Sequence, residues 1–151
     1  WLTRERLLRV FKDTAEALTR RLKRRPKIGV LALNPHAGEA GAFGNEEAHV
    51  IIPAIKEAKI WGDFIGPLVP DTALIPSNGA SAYDGFVAMY HDQGLIPFKL
   101  MAFDQGVNVT LGLPVLRTSP DHGTAFNLAW QGKASATSMI AAIHCAQELS
   151  S

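Results

Sequence analysis

The sequence predicts an α/β protein. Three short apolar runs, Ile28-Gly-Val-Leu-Ala-Leu33, Phe86-Val-Ala-Met-Tyr90 and Val107 to Leu111, read as buried strands, and segments of helical periodicity alternate with them. Between them lie stretches punctuated by Gly and Pro that carry mixed polar groups, the composition of loops at strand ends. Of 151 residues, 47% are hydrophobic and 19% charged, a balance that supports one sizeable core and excludes a disordered chain.

Residues from about Thr3 to Arg24 are predicted helical. Leu7, Phe11, Leu18 and Leu22 recur at helical spacing, Thr3 can cap the start, and Pro26 stops it. The strand Ile28–Leu33 leads into a glycine-rich loop, 34–44. Asn45 is placed to cap the next helix, Glu46 and Glu47 suit its positive end, and Ile51, Ile52, Ile55 and Ala58 form its apolar face. That helix is expected to end near Trp61-Gly62, and Gly66 to Pro76 reads as turns. The strand Phe86–Tyr90 delivers His91 at its end. Val107–Leu111 is followed by the turn Gly112-Leu-Pro114, and an amphipathic helix from Ala134 to Leu149 closes the chain. No internal repeat or low-complexity segment is present.

Bulk properties narrow the function. A net charge of +1 argues against an electrostatic role for the whole protein. Cys145 is the only cysteine, which excludes an intrachain disulfide and a cysteine-rich zinc site; its apolar neighbours suggest a packed thiol. No apolar run approaches the roughly 20 residues of a membrane span, and no signal-peptide pattern opens the chain. A soluble, cytoplasmic protein is expected, without nucleic-acid or membrane partners. The chain starts at Trp1 rather than Met, so it is expected to be a piece of something longer.

The chemistry concentrates between Met89 and Ala125, where imidazole, carboxylate, amide, ammonium and guanidinium groups crowd beside apolar turns. His36 follows the first strand and His91 the second, so a shared sheet edge would bring the two loops together. A pair of imidazoles at such an edge, with Asp92 adjacent, suits a catalytic divalent cation, which needs a third ligand and open positions. Within the chain, His122 and Asp71 are candidates for that ligand; His49 and His144 lie in predicted helices. Lys99, Asn108 and Arg117 supply a point charge, a neutral amide and a planar fork, a donor set for a phosphate. The loop Asp121-His-Gly-Thr-Ala125 could approach a nucleotide closely through Gly123.

Several familiar patterns are absent. Neither Gly38, Gly41 and Gly44 nor the loop at Gly123 matches the dinucleotide or Walker fingerprint, and no Gly-x-Ser-x-Gly elbow occurs. The basic run Arg20-Arg-Leu-Lys-Arg-Arg-Pro-Lys27 falls in the last turns of a helix, where cations favour the dipole. No aromatic stacking platform accompanies it.

Five ordered motifs carry a resemblance. Leu33-Asn-Pro-His-Ala-Gly-Glu39 with Gly44-Asn-Glu-Glu47, Gly66-Pro-Leu with Pro70-Asp-Thr72, Met89-Tyr-His-Asp-Gln-Gly-Leu95, Gly106-Val-Asn-Val-Thr-Leu-Gly-Leu-Pro114 and Arg117-Thr-Ser-Pro-Asp-His-Gly-Thr-Ala125 resemble the 4-hydroxythreonine-4-phosphate dehydrogenase family of vitamin B6 (pyridoxal phosphate) biosynthesis. The similarity spans essentially the whole chain and corresponds to the C-terminal half of a family member. It implies an isocitrate/isopropylmalate-dehydrogenase-like α/β fold. Residues 1–125 would form most of the second domain, and 126–151 a return segment with a helix of the NAD-side domain. It further implies a homodimer with shared sites, NAD, and a divalent cation such as zinc, magnesium or cobalt.

On that mapping His36 and His91 are metal ligands, the third family histidine lying upstream of Trp1. Lys99, Asn108 and Arg117 hold a phosphorylated substrate. Asp121, His122, Gly123, Thr124 and Ala125, with Asn127, lie near NAD, and Asp71 and Asp92 are candidates for proton handling or ligand orientation. The implied reaction oxidises a secondary alcohol and then decarboxylates the β-keto acid. A related branch acts on D-threonate or D-erythronate 4-phosphate. Asn127 and Trp130 depart from the acidic residue and glycine usual in the family, and Trp130 is expected to pack at the domain junction or narrow the adenine site.

Overall fold

The computed structural model describes residues 1–76 and 80–150. The chain divides into two compact units, Trp1–Leu95 and Ile96–Ser151. Each is built by its own local logic.

The first unit opens with helix α1 (Arg4–Leu22). The Thr3 hydroxyl accepts the Arg6 N–H at 3.2 Å, and Lys23 closes the helix in the left-handed conformation, its N–H donating to the Thr19 carbonyl at 2.9 Å. Leu7, Phe11 and Ala15 form the buried face. Strand β1 (Lys27–Leu31) follows Pro26 and is the centre of the unit. Its Ile28, Val30 and Leu31 are fully buried, as a strand covered on both faces requires. The chain then runs through a short helical loop, Pro35–Gly41, and a π turn, Glu47–Ile51, into α2 (Ile52–Ala58). The wide turn precedes Pro53, which has no N–H to continue the regular ladder. Ile51, Ala54, Ile55 and Ala58 complete the core against α1, where the Phe11 and Phe64 rings stack at 4.8 Å.

Strand β2 (Asp63–Leu68) overturns the expectation of turns from Gly66 onward. Gly66 and Pro67, joined by a cis peptide bond, are punctuation in most sequences. Here they lie on an edge strand, where a missing N–H costs no ladder bond, and the register with β1 slips between Gly29 and Leu31. The helix α3 (Pro70–Ala73) follows within two residues of the strand's end. Strand β3 (Gly85–Val87) pairs parallel to β1 on the other side, so the sheet order is β2-β1-β3. The strand predicted to run to Tyr90 stops at Val87 because the Met89 N–H is taken by the Gln93 side chain.

Helix α4 (His91–Ala102) replaces what the sequence presents as loop. Gly94 and Pro97 argue against a helix locally, but the first turn is anchored by the buried Gln93, and one proline removes a single ladder bond. Its residues divide between the two units.

In the second unit, strands β4 (Val107–Thr110) and β5 (Arg117–Pro120) form an antiparallel hairpin, and α5 (Thr137–Ser150) packs on it. β5 departs from the sequence reading: Arg-Thr-Ser-Pro carries no apolar alternation, and pairing with β4 makes it a strand. Thr118 Oγ1 donates to the Ala142 carbonyl at 3.0 Å. Ser138, almost fully buried, donates to the Gly106 carbonyl at 2.9 Å and accepts the Asp121 N–H at 3.2 Å. Cys145 is half-buried on α5 and free.

Candidate active site

The three parallel strands of the first unit end on one edge, and each delivers a residue singled out by its chemistry. His36 follows β1, Asp71 stands in the first turn of α3 after β2, and His91 with Asp92 opens α4 after β3. Ligand chemistry in open α/β sheets gathers at carboxyl-terminal strand edges of this kind. All four side chains are exposed.

The His36 loop is held under conformational strain. His36, Ala37, Glu39 and Ala40 have φ of 52°, 55°, 42° and 54°, a left-handed run that non-glycine residues rarely adopt. Glu47 clamps the entrance to this run. Its Oε1 accepts the N–H groups of Leu33 at 2.9 Å and Asn34 at 2.8 Å, and its Oε2 accepts Asn34 Nδ2 at 2.9 Å. Burial pushes the Glu47 carboxyl up, but the backbone and side-chain bonds from Asn34 and the bond from Leu33 outweigh it and hold it below its usual range. Gly38 is buried beneath the loop at φ 83°, and a Cβ there would meet Glu47 Oε2 at 2.9 Å.

At the other histidine, Nδ1 lies 2.8 Å from Asp92 Oδ1. That contact assigns Nδ1–H as the donor to the carboxylate and leaves Nε2 open to a ligand, the arrangement found behind metal-binding imidazoles. Among the described residues no group of three His, Cys, Asp or Glu side chains stands close enough to hold a metal ion. His36 and His91 each place an imidazole after a strand end, and neither His122 nor Asp71 completes a cluster with them.

The second unit holds the cationic set. The β4–β5 register pairs Asn108 with Ser119 and Thr110 with Arg117, so these four side chains share one face of the hairpin. Thr118, which bonds to α5, points to the other face. Asn108 and Arg117 are diagonal neighbours, roughly 7–8 Å apart at the backbone, and both are exposed. Arg117 donates to Thr110 Oγ1 at 2.8 Å. Lys99, on α4, donates to Asp121 twice, to its carbonyl at 2.6 Å and its Oδ2 at 2.5 Å. One ion pair thus joins a phosphate candidate to the first residue of the nucleotide-loop candidate.

That loop is open. His122, Gly123, Thr124, Ala125 and Asn127 are exposed, His122 Nδ1 bonds only to the neighbouring Gly123 carbonyl at 3.1 Å, and nothing lies within 4 Å of a Cβ built at Gly123. Trp130 is fully exposed at 104%, so within this chain it packs on nothing. Glu47, Gln93 and Ser138 are the residues that sequence reasoning missed. Each is a polar side chain that the fold buries, and polarity by itself signals the opposite.

The fold and the edge define the class: an α/β protein with exposed polar side chains at the carboxyl ends of its parallel strands. Comparison with known proteins then fixes the family. Residues 1–146 match the family described as "Pyridoxal phosphate biosynthetic protein PdxA", and the chain belongs to it. A 4-hydroxythreonine-4-phosphate dehydrogenase of Geobacter metallireducens is 57% identical over 149 residues, covering 98% of this chain and 44% of that protein. A D-threonate 4-phosphate dehydrogenase of Salmonella typhimurium is 52% identical over 126 residues, 83% of this chain and 38% of that protein.

Among solved structures, the 4-hydroxythreonine-4-phosphate dehydrogenase of Klebsiella pneumoniae superposes with a TM-score of 0.85 at 45% identity, over 98% of this chain and 45% of that one. The expected fold class is therefore the one found, and the chain spans less than half the length of the relatives it matches. No helix among the described residues is long and apolar enough to cross a membrane.

Proposed function

We propose that this chain carries the C-terminal half of the active site of an NAD-dependent, metal-requiring dehydrogenase. The reaction converts 4-phosphohydroxy-L-threonine to 3-amino-2-oxopropyl phosphate and carbon dioxide in vitamin B6 synthesis. The observation that supports this reading is the placement of His36, Asp71 and His91 after the ends of three neighbouring parallel strands, in a chain of the PdxA family.

The donor set fits a divalent cation such as zinc, magnesium or cobalt: two imidazoles, one oriented by a carboxylate, with room for further ligands. His36 and His91 would hold it, with a third ligand from outside these residues. A bound cation would supply Lewis acidity at the substrate's alcohol oxygen, and NAD would supply the hydride acceptor. Asp92 orients His91, and Asp71 stands at the same edge to accept the alcohol proton. Lys99, Asn108 and Arg117 bind the substrate's phosphate, so that remote binding energy orients the reacting carbon. The Asp121–Ala125 loop, exposed from His122 onward, binds NAD together with Asn127, and the open space around Gly123 permits close approach by the dinucleotide.

The wider assignment follows the family resemblance. Residues 1–125 are most of the second domain of the full subunit, 126–151 return to the NAD-side domain, and the enzyme is a cytoplasmic homodimer with shared sites. The basic run at Arg20–Lys27 serves the fold: Arg24 grips Asp84, Arg25 grips Asp63, and Lys27 lies over the Tyr83 ring at 5.2 Å.

The test is NADH formation from 4-phosphohydroxy-L-threonine, NAD and added zinc or magnesium, by this chain and by a form extended upstream. Turnover lost in His91→Ala supports the reading. An extended form that turns over D-threonate 4-phosphate faster places the protein in the related branch, which the similarity to the Salmonella typhimurium dehydrogenase keeps in view. Absence of turnover with either substrate in the extended form rejects the activity.

A further inference from the structure

Beyond the last backbone pairings of the parallel sheet, side chains hold the strand ends together. The Ala32 N–H still donates to the Leu68 carbonyl at 2.8 Å, joining β1 to the end of β2. On the β3 side the ladder has already stopped at Val87. Gln93 bridges that gap. Only 7% exposed, it donates from Nε2 to the Ala32 carbonyl at 2.7 Å and accepts the Met89 N–H through Oε1 at 2.7 Å. One side-chain amide acts as a missing peptide unit, with a donor for one strand end and an acceptor for the other. Glutamine alone suits both partners: a carboxylate offers no donor to Ala32, and asparagine is one methylene too short to span them.

The bridged atoms are the roots of the two histidine loops. Ala32 precedes His36 by four residues and Met89 precedes His91 by two. Between Ala32 and His36 the chain is also held by Glu47, on Leu33 and Asn34, and by Glu46, on the Asn34 side chain, after which the backbone enters its left-handed run. A strained segment persists only where its surroundings over-determine it. Apart from the short β1–β3 ladder and the packing of Leu33 and Met89 on the core, the Gln93 bridge is the hydrogen-bonded link between the loop roots among the described residues.

We propose that Gln93 is a positioning residue for the His36–His91 pair, setting the spacing at which the two imidazoles meet a divalent cation. The proposal rests on the assignment of those histidines as ligands. Its test is a calorimetric titration of Zn²⁺ into the purified chain and into His36→Ala, His91→Ala, Gln93→Met and Gln93→Asn, alongside thermal melts without metal and the visible spectrum of the Co²⁺-loaded forms. Loss of binding in both histidine variants establishes the ligands. The Gln93 variants should then fold cooperatively, bind Zn²⁺ about 10–100-fold more weakly, and show an altered Co²⁺ spectrum. Unchanged affinity and spectrum in a folded Gln93 variant overturns the proposal while leaving the ligands in place. Failure of both Gln93 variants to fold makes the residue purely structural and also overturns it. Full Zn²⁺ affinity in the histidine variants removes the ligand assignment itself, and the proposal with it.

Discussion

Glu47 sets the opposing effects of burial and hydrogen bonding against each other within one side chain. Its carboxylate is buried, yet three donors from Leu33 and Asn34 hold its pKa below the usual range. A depressed folded-state pKa contributes stability that is present above the unfolded value and is lost as pH falls through the folded value. Glu46, half-buried beside it, is also lowered by its bond from Asn34 and acts in the same direction. Glu47→Gln should therefore lose about 1.5–3 kcal/mol at neutral pH, and the gap to the parent should close as pH falls below the ordinary glutamate range. Urea melts at several pH values measure this; a gap independent of pH would contradict it. At the phosphate candidate, Arg117→Ala should raise the KM for phosphorylated substrate about 10–100-fold without changing Zn²⁺ affinity. Equal loss of metal binding in that variant would count against the assignment.

Among the elements, those governed by local rules were legible and those governed by pairing were not. α1 is legible through Thr3 and the spacing of Leu7 and Phe11, which keep those roles. The helix expected to run to Arg24 and stop at Pro26 is closed earlier, by Lys23 in the left-handed conformation. Its central contact predicts a measurable cost: Phe11 is fully buried against Phe64, so Phe11→Ala should destabilise the first unit by about 3–5 kcal/mol, read as a lower urea midpoint. β2, α4 and β5 were hidden because Gly66-Pro67, Gly94 with Pro97, and Arg-Thr-Ser-Pro carry breaker or polar signals that tertiary pairing overrides. The start of β3 also depends on a pairing invisible in sequence. Arg24 bonds Asp84 through both guanidinium nitrogens, and Asp84 in turn accepts the Lys27 N–H at 2.8 Å, which holds the carboxyl of Asp84 low. Asp84→Ala should lower the melting temperature at neutral pH, and by less at a pH acidic enough to protonate Asp84 in the parent.

At the scale of the molecule, the second unit leaves much apolar surface uncovered. Leu100, Phe103 and Phe126 are 84%, 70% and 81% exposed, and Val115 and Ile143 add to them. Large apolar side chains left open in such number favour self-association. Light scattering should give this chain twice the monomer mass, and Leu100→Lys with Phe103→Lys should return it to the monomer. A monomeric parent chain would reject self-association as the fate of that surface.

The sequence by itself determined the α/β class, the helices at both ends, the central strand and the chemical identity of the site candidates, because periodicity, caps and residue chemistry are local properties. It also carried the family, since the motifs around His36, Asp71, His91, Asn108 and Arg117 survive as short ordered strings. Tertiary structure alone decided that β2 and β3 flank β1, that Lys99 is tied to Asp121, and that Glu47 and Gln93 are buried at the edge. These outcomes join residues up to 61 positions apart. A polar side chain is buried only when a distant backbone group awaits it, and no local pattern records that partner.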